Sequence, residues 1–186
     1  MALGEIPYRD FPFPYAPLTF LIQAALIKLS GRVFWHTTVY CAVLNGLATV
    51  LTWRIIAGLL RGAFNHSRWP AILLTLPLIP LGIYSIFPHP FYDPDCTFAI
   101  LLAVYLLHKS VSRTVSDGPW WSLSSLWPLL AGAALVVPLF VKQNTGLAFV
   151  GSVLLALVLL LAVEVFRRGS MRRIFADHCR RRGHHC

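Results

Sequence analysis

The chain has 186 residues, of which 57% are hydrophobic and 12% are charged, and its net charge is +9. A soluble domain carries about 25% charged residues, so this composition excludes the ordinary soluble globular class. The positive charge does not indicate nucleic-acid binding, because seven of the sixteen basic residues lie in the tail 167–186 with one acid, Asp177. A basic segment directly after an apolar run is typical of a membrane anchor. We therefore expect membrane lipids among the partners and no nucleic acid.

Residues 1–33 are predicted to form a loop outside the membrane that carries one short helix. Pro7, Pro12 and Pro14 favour extended backbone at the start of this loop. The run 17–30 is apolar, but at about 1.5 Å per residue a helix of this length reaches only about 21 Å. A bilayer core is about 30 Å thick. We interpret 17–30 as an interfacial helix, with a sixth span as the alternative.

Five longer apolar runs follow, and each approaches or exceeds the roughly 20 residues that cross a bilayer. Backbone polar groups in lipid must be satisfied within their own segment, so these runs are predicted to be α-helices. The expected fold is all-α, a polytopic helix bundle over residues 1–166 followed by the basic tail. The predicted spans are about 34–60, 70–87, 91–108, 120–140 and 145–166.

The loops between these runs differ in charge. Lysine and arginine occur in 61–68, in 109–113 and in the tail 167–186. The segment 88–95 has no lysine or arginine and contains two aspartates, and 141–144 has one lysine. Cytoplasmic loops carry an excess of basic residues. We expect an integral protein of a bacterial inner or plasma membrane, with the N-terminal loop external and the tail cytoplasmic.

Four segments carry the motifs that bear on function. They are GEIPYRDFPFPYAPLTF at 4–20, LIKLSG at 26–31, FYDPDCTFAILLAVYLLHKS at 91–110 and VKQNTGLAFV at 141–150. In this order they resemble external loops of GT-C-type membrane glycosyltransferases, in particular the clan of protein O-mannosyltransferases and lipid A aminoarabinose transferases. The resemblance implies a GT-C membrane module. It also implies sugar transfer from a polyprenyl phosphate-linked donor to a glycan, lipid or protein acceptor at the external face.

The sequence departs from that family in two respects. The family's Pro-Pro-Leu is replaced by Ala16-Pro17-Leu18. The resemblance also implies a further span and an acidic residue ahead of Met1, so we expect this sequence to be a truncated piece of a longer chain. Two alternatives stay open: a non-catalytic integral membrane protein, such as a transporter fragment or assembly subunit, and an inactive gene fragment.

Under the resemblance, Asp10 is the predicted catalytic residue. Its carboxylate would take a proton from the acceptor hydroxyl, or orient that hydroxyl, as it attacks the anomeric carbon. The leaving group is a lipid phosphate, and Lys142 is the cation predicted to stabilise its developing charge. The residues predicted to bind substrate are Tyr8, Arg9, Tyr92, Asp93, Lys142 and Gln143.

Each of these residues also has a purely structural interpretation. Asp10 can pair with Arg9 in a solvated loop. Lys142 can extend its ammonium group from a helix junction to the membrane interface without any catalytic part.

The acids of the second external loop have two further interpretations. Asp93 as N-cap, Pro94 at the first helical position and Asp95 facing the helix dipole form a favourable helix start. The carboxylates of Asp93 and Asp95, with His89 nearby, are also weak candidates for a divalent metal site. No other cofactor is predicted.

Overall fold

The computed structural model describes residues 16–31, 34–61, 68–84, 89–113 and 126–181. These residues form helices and turns without any β-strand, which confirms the all-helical prediction. A 3₁₀ helix, Leu76–Leu78, directly follows the third α-helix. The α-helices are α1 Leu18–Ser30, α2 Phe34–Leu60, α3 Arg68–Thr75, α4 Tyr92–Arg113, α5 Leu126–Val141 and α6 Gln143–Arg181.

The chain divides into two compact units, Met1–Leu147 and Ala148–Cys186. Within the first unit α4 packs most extensively against α5, α2 packs against α3 and α4, and α1 contacts α2 and α5. The second unit begins with the greater part of α6, which extends to Arg181 and thus through most of the predicted tail. Its apolar side chains are exposed, among them Leu154, Leu155, Leu157, Leu159, Leu160 and Leu161.

The described helices identify an integral membrane protein. Three of them, Trp35–Leu60, Tyr92–Val111 and Gln143–Arg167, are long and apolar enough to cross a bilayer, and their lengths agree with three of the predicted spans. Leu18–Ser30 and Leu126–Val141 are apolar but shorter. The predicted count of five spans is therefore not confirmed. Helix α1 does form over the segment that was predicted to be an interfacial helix.

Helices α2 and α4 run in the same direction, which defines two ends of the first unit. Tyr40 and Asp95 line one cavity near the starts of the two helices. Gly58 lies against the imidazole of His108 near their ends. We call the region of Tyr84, Asp93, Asp95 and Lys142 the carboxylate end, and the region of Arg54, Arg61, Arg68, His108 and Lys109 the basic end. Asp95 and Lys109 are separated by about 21 Å along α4, at 1.5 Å per residue.

The segment 68–84 connects these two ends, but not as the single helix predicted over 70–87. After α3 and the 3₁₀ turn the backbone continues in turns to Tyr84. Pro77 and Pro80 explain the break, because proline lacks an N–H and clashes with the preceding helical turn. The Asn45 amide donates a hydrogen bond to the Ile79 carbonyl at 3.4 Å. Protein contacts of this kind make irregular backbone tolerable at membrane depth.

A sharp turn at Lys142 joins α5 to α6. The Lys142 N–H donates to the Pro138 carbonyl at 2.9 Å, and the Gly146 N–H donates to the Lys142 carbonyl at 2.8 Å. A Cβ on Gly146 would lie 2.6 Å from the backbone nitrogen of Leu139, so the backbone at position 146 approaches that of Leu139 too closely for any residue except glycine. This turn is what brings Lys142 to the start of α4.

Candidate functional site

Asp93 and Lys142, 49 residues apart in the sequence, form an ion pair at the carboxylate end. The Lys142 ammonium donates to Oδ1 of Asp93 and lies 5.2 Å from the centre of the Tyr92 ring. The hydrogen bond to Asp93 raises the pKa of Lys142 above its usual value, against a smaller opposing effect of burial. The side chains are 34% exposed for Lys142 and 47% for Asp93, so solvent can reach both charges. The pair is therefore accessible to a ligand.

Asp95 is buried and bonded to a buried tyrosine. Tyr84, in the turn that precedes α4, donates its hydroxyl to Oδ1 of Asp95. A carboxylate only accepts hydrogen bonds, whereas a phenol can donate one, so the Tyr84 hydroxyl is the donor. The second carboxylate oxygen, Oδ2, has no hydrogen-bond partner among the described residues. A buried acceptor of this kind is costly unless something donates to it.

An apolar cavity of about 200 Å³ lies next to Asp95. Two polar residues, Thr19 of α1 and Tyr40 of α2, also line it, and the Thr19 hydroxyl is buried without a partner within the described chain. A dry cavity of about 150 Å³ accepts a benzene-sized molecule, so this one can take a short branched hydrocarbon segment. The apolar lining comes from four helices and includes Leu18, Ile22, Leu44, Phe98, Leu102 and Val137.

The structure brings together part of the predicted site. Tyr92, Asp93 and Lys142 lie in contact. Gln143 is exposed at the first position of α6. The other three predicted residues, Tyr8, Arg9 and Asp10, fall outside the described residues, so the catalytic assignment of Asp10 stays a prediction.

The interpretation of Asp93 as an N-cap is wrong. Helix α4 begins at Tyr92, and the Asp95 N–H donates to the Phe91 carbonyl at 3.3 Å, so both acids lie inside the first turn. In that position they still face the positive end of the helix dipole. Helix α4 begins at Tyr92, two residues before the predicted first helical position, Pro94.

The candidate metal site of Asp93, Asp95 and His89 is not assembled in the described part of the chain. No group of three or more His, Cys, Asp or Glu side chains lies close enough there to hold one ion. Asp93 faces Lys142 and Asp95 faces Tyr84, while His89 packs edge-on against Phe91 with ring centres 6.2 Å apart.

Sequence reasoning missed the tyrosines of this site. Tyr84 lies within the predicted span 70–87, and Tyr40 lies within the predicted span 34–60. The available signal was that each hydroxyl falls within a long apolar run and needs a hydrogen-bond partner if it is buried. Nothing local in the sequence, however, indicated that the partner of Tyr84 is Asp95.

Comparison of the chain with protein-family models, with curated proteins and with solved structures found no match in any of the three. The site is therefore argued from its own geometry.

Proposed function

We propose that this chain belongs to a membrane glycosyltransferase that moves a sugar from a polyprenyl phosphate-linked donor to an acceptor at the carboxylate end. The observation that carries the proposal is the Asp93–Lys142 pair beside buried Asp95 and its apolar cavity. A lipid-linked sugar needs a cation for its phosphate, acceptors for its hydroxyl groups and an apolar surface for its tail. The cation Lys142, the carboxylates of Asp93 and Asp95, and the apolar cavity all lie around the start of α4.

In the proposed reaction the acceptor oxygen forms a bond to the anomeric carbon of the sugar. Its proton passes to a carboxylate, for which Asp10 is the predicted base. The bond between the anomeric carbon and the phosphate oxygen breaks, and the electron pair leaves with the polyprenyl phosphate. Lys142 stabilises that charge when the phosphate takes the place of Asp93 on its ammonium group.

Asp95 would hold the donor rather than react with it. Its Oδ2, which has no hydrogen-bond partner among the described residues, can accept a hydrogen bond from a sugar hydroxyl, while Tyr84 fixes the other oxygen. The neighbouring cavity would take the first branched unit of the isoprenoid tail.

The experiment is binding and turnover with the purified chain in neutral detergent. Polyprenyl phosphate is titrated against the matching polyprenol, which lacks the phosphate, and labelled donors carrying hexoses or pentoses are tested for sugar transfer. We expect phosphate-dependent binding, and Lys142→Ala to lower binding or turnover by about 100-fold, as loss of one charge-stabilising donor does. The matched control is Lys28→Ala, which removes an exposed lysine from α1.

Two results would count against the proposal. One is equal binding of polyprenyl phosphate and polyprenol by the wild-type chain. The other is equal loss of binding in Lys142→Ala and Lys28→Ala.

A second candidate function, transport, is favoured by the broken segment 68–84. A cavity of about 330 Å³ lies between this segment and α2, with polar lining from Asn45, Thr49, Thr52 and Thr97. Irregular backbone that lines a cavity within the membrane is typical of transporter binding sites. Flux of ions and small solutes into proteoliposomes, compared between wild type and Asn45→Leu, separates this candidate from sugar transfer.

A further inference from the structure

A third cavity, of about 410 Å³, lies at the basic end, away from the proposed transfer site. Two aromatic residues, Trp53 and Tyr105, form part of its wall, and no Asp or Glu is among its described lining residues. Its basic side chains come from α2, α3 and α4 and from the residue that follows α2. They are Arg54, Arg61, Arg68, His108 and Lys109.

Within the cavity, the charges of Arg54, Arg61, Arg68 and Lys109 have no acidic partner among the described lining residues. The Arg54 guanidinium lies 5.5 Å from the Trp53 ring centre, and the Lys109 ammonium lies 5.8 Å from that of Tyr105. Such contacts are weak at exposed sites. They do not remove the mutual repulsion of several positive charges around one cavity. An anion bound inside the cavity would reduce that repulsion.

Helix geometry explains some of these cations but not all of them. Arg61 and Lys109 lie at or near the ends of α2 and α4, where the helix dipole favours a positive charge. Arg68 is the first residue of α3, where the dipole disfavours a cation and favours an anion. The helix that carries Arg68 therefore does not stabilise its charge, whereas a bound anion would.

The position of the cavity along the spans indicates what kind of anion it would hold. Arg54 lies six residues before the end of the span Trp35–Leu60, about 9 Å along the helix. A charge at that depth needs a counter-charge close to the hydrocarbon boundary. The indole Nε1 of Trp53, a donor only, is buried without a partner among the described residues. Phosphate oxygens at headgroup depth would meet both requirements.

We propose that the cavity between Arg54, Arg61, Arg68 and Lys109 binds a phosphate-bearing anion, supplied by the headgroup of an anionic phospholipid. This site does not depend on the proposed sugar transfer. A soluble phosphate compound shares the same chemistry, and the experiment distinguishes the two sources.

The experiment measures binding by native mass spectrometry of the purified full chain in neutral detergent. The probes are phosphatidic acid, phosphatidylcholine of the same acyl chains, and inorganic phosphate. The test variant is Arg61→Gln/Lys109→Gln. The matched control is Lys28→Gln/Arg167→Gln, which removes the same two charge types from exposed positions that do not line the cavity.

We expect the wild type to bind phosphatidic acid and to bind phosphatidylcholine at least about tenfold more weakly, because each basic residue near an anionic lipid contributes about 1 kcal/mol. The test variant should lose at least about tenfold in affinity for phosphatidic acid, since two such residues are neutralised. The control should stay within about twofold, and the charge-conserving variant Arg61→Lys/Lys109→Arg should recover most of the affinity.

The alternative results are equally decisive. Binding of inorganic phosphate that the test variant abolishes, without any preference for phosphatidic acid, supports an anion site and overturns its assignment to a lipid. Equal losses in the test and control variants overturn the site altogether. They would show that the whole basic surface attracts anionic lipid, not this cavity. Thermal unfolding of each variant in neutral detergent verifies that all four proteins are folded.

Discussion

The two ends of the first unit treat charge in opposite ways. At the carboxylate end each described charge has a specific partner: Asp93 bonds Lys142, and Asp95 bonds Tyr84. At the basic end positive side chains surround a cavity whose described lining holds no acid. Both acids of the first end thus have a partner within the protein, although Oδ2 of Asp95 has none among the described residues. The cations of the second end have no described acid beside them in the cavity. Mutations should therefore destabilise the carboxylate end and leave the basic end unaffected or slightly more stable.

The largest effect is expected for Tyr84→Phe. Removal of the hydroxyl takes away the Tyr84 donor to Oδ1 of buried Asp95, and a buried acceptor left unsatisfied costs up to about 3 kcal/mol. The free energy of unfolding is measured by titration with SDS in mixed micelles. Tyr105→Phe, at the basic end, is the matched control. A loss below about 0.5 kcal/mol for Tyr84→Phe, within the range of ordinary surface substitutions, would show that the Tyr84–Asp95 bond is not needed.

The turn at Lys142 should be nearly as sensitive. Gly146→Ala places a Cβ 2.6 Å from the backbone nitrogen of Leu139, and backbone cannot yield as a flexible side chain does. Overpacking of this kind costs about 1–3 kcal/mol. Gly132→Ala in α5, where a Cβ meets nothing within 4 Å, is the control and should be neutral or slightly stabilising. Equal unfolding free energies for the two variants would contradict the tight turn.

The exposed ion pair should contribute much less to stability than the buried bond. Lys142→Gln is expected to lower the unfolding free energy by at most about 1 kcal/mol, because solvent screens a pair that is one-third to one-half exposed. Its larger effect should be on ligand binding. A double-mutant cycle with Asp93→Asn isolates the pair, and a coupling above about 2 kcal/mol would contradict the screening argument.

The same pair has a pH dependence with a defined sign. The pKa of Lys142 is raised in the folded chain, so the pair's contribution is fully present below the ordinary lysine pKa of 10.5. That contribution is lost as the pH rises through the raised value. The difference in unfolding free energy between wild type and Lys142→Gln should therefore shrink as the pH rises above 10.5. A difference that stays constant across this range would exclude titration of Lys142 as its source.

The smallest effect, and the one of opposite sign, is expected at the basic end. Arg68→Gln in neutral detergent at low salt should leave the unfolding free energy unchanged or raise it by about 0.5 kcal/mol, because it relieves repulsion between like charges and removes a cation from the first turn of α3. Added salt should reduce the gain by screening. A loss above about 1 kcal/mol would show that Arg68 has a stabilising partner in the unliganded protein and would remove the contrast between the two ends.

The sequence could predict the helices with uniform apolar composition. Helices α2, α4 and α6 lie close to the predicted spans because their length and hydropathy are local properties of the chain. Pro77 and Pro80 indicated an interruption of the predicted span 70–87, because proline breaks a helix. The sequence could not predict that Asn45 of another helix would donate a hydrogen bond to the Ile79 carbonyl in the interrupted stretch.

The candidate site divides in the same way. Asp93 and Lys142 were each selected from the sequence, since a carboxylate and a lysine in external loops suit transfer chemistry. Their contact across 49 residues follows only from the turn at Gly146 and the packing of α4 against α5.

By itself, then, the sequence determined that this is a helical membrane protein with its acids and its bases in different loops. Those properties depend on composition summed over neighbouring residues. Only the tertiary structure decided that Asp95 is buried with Tyr84, that a cavity lies beside it, and that basic residues from three helices surround another. Such contacts form between segments far apart in the chain, where close packing and the cost of an unsatisfied buried group select the partners.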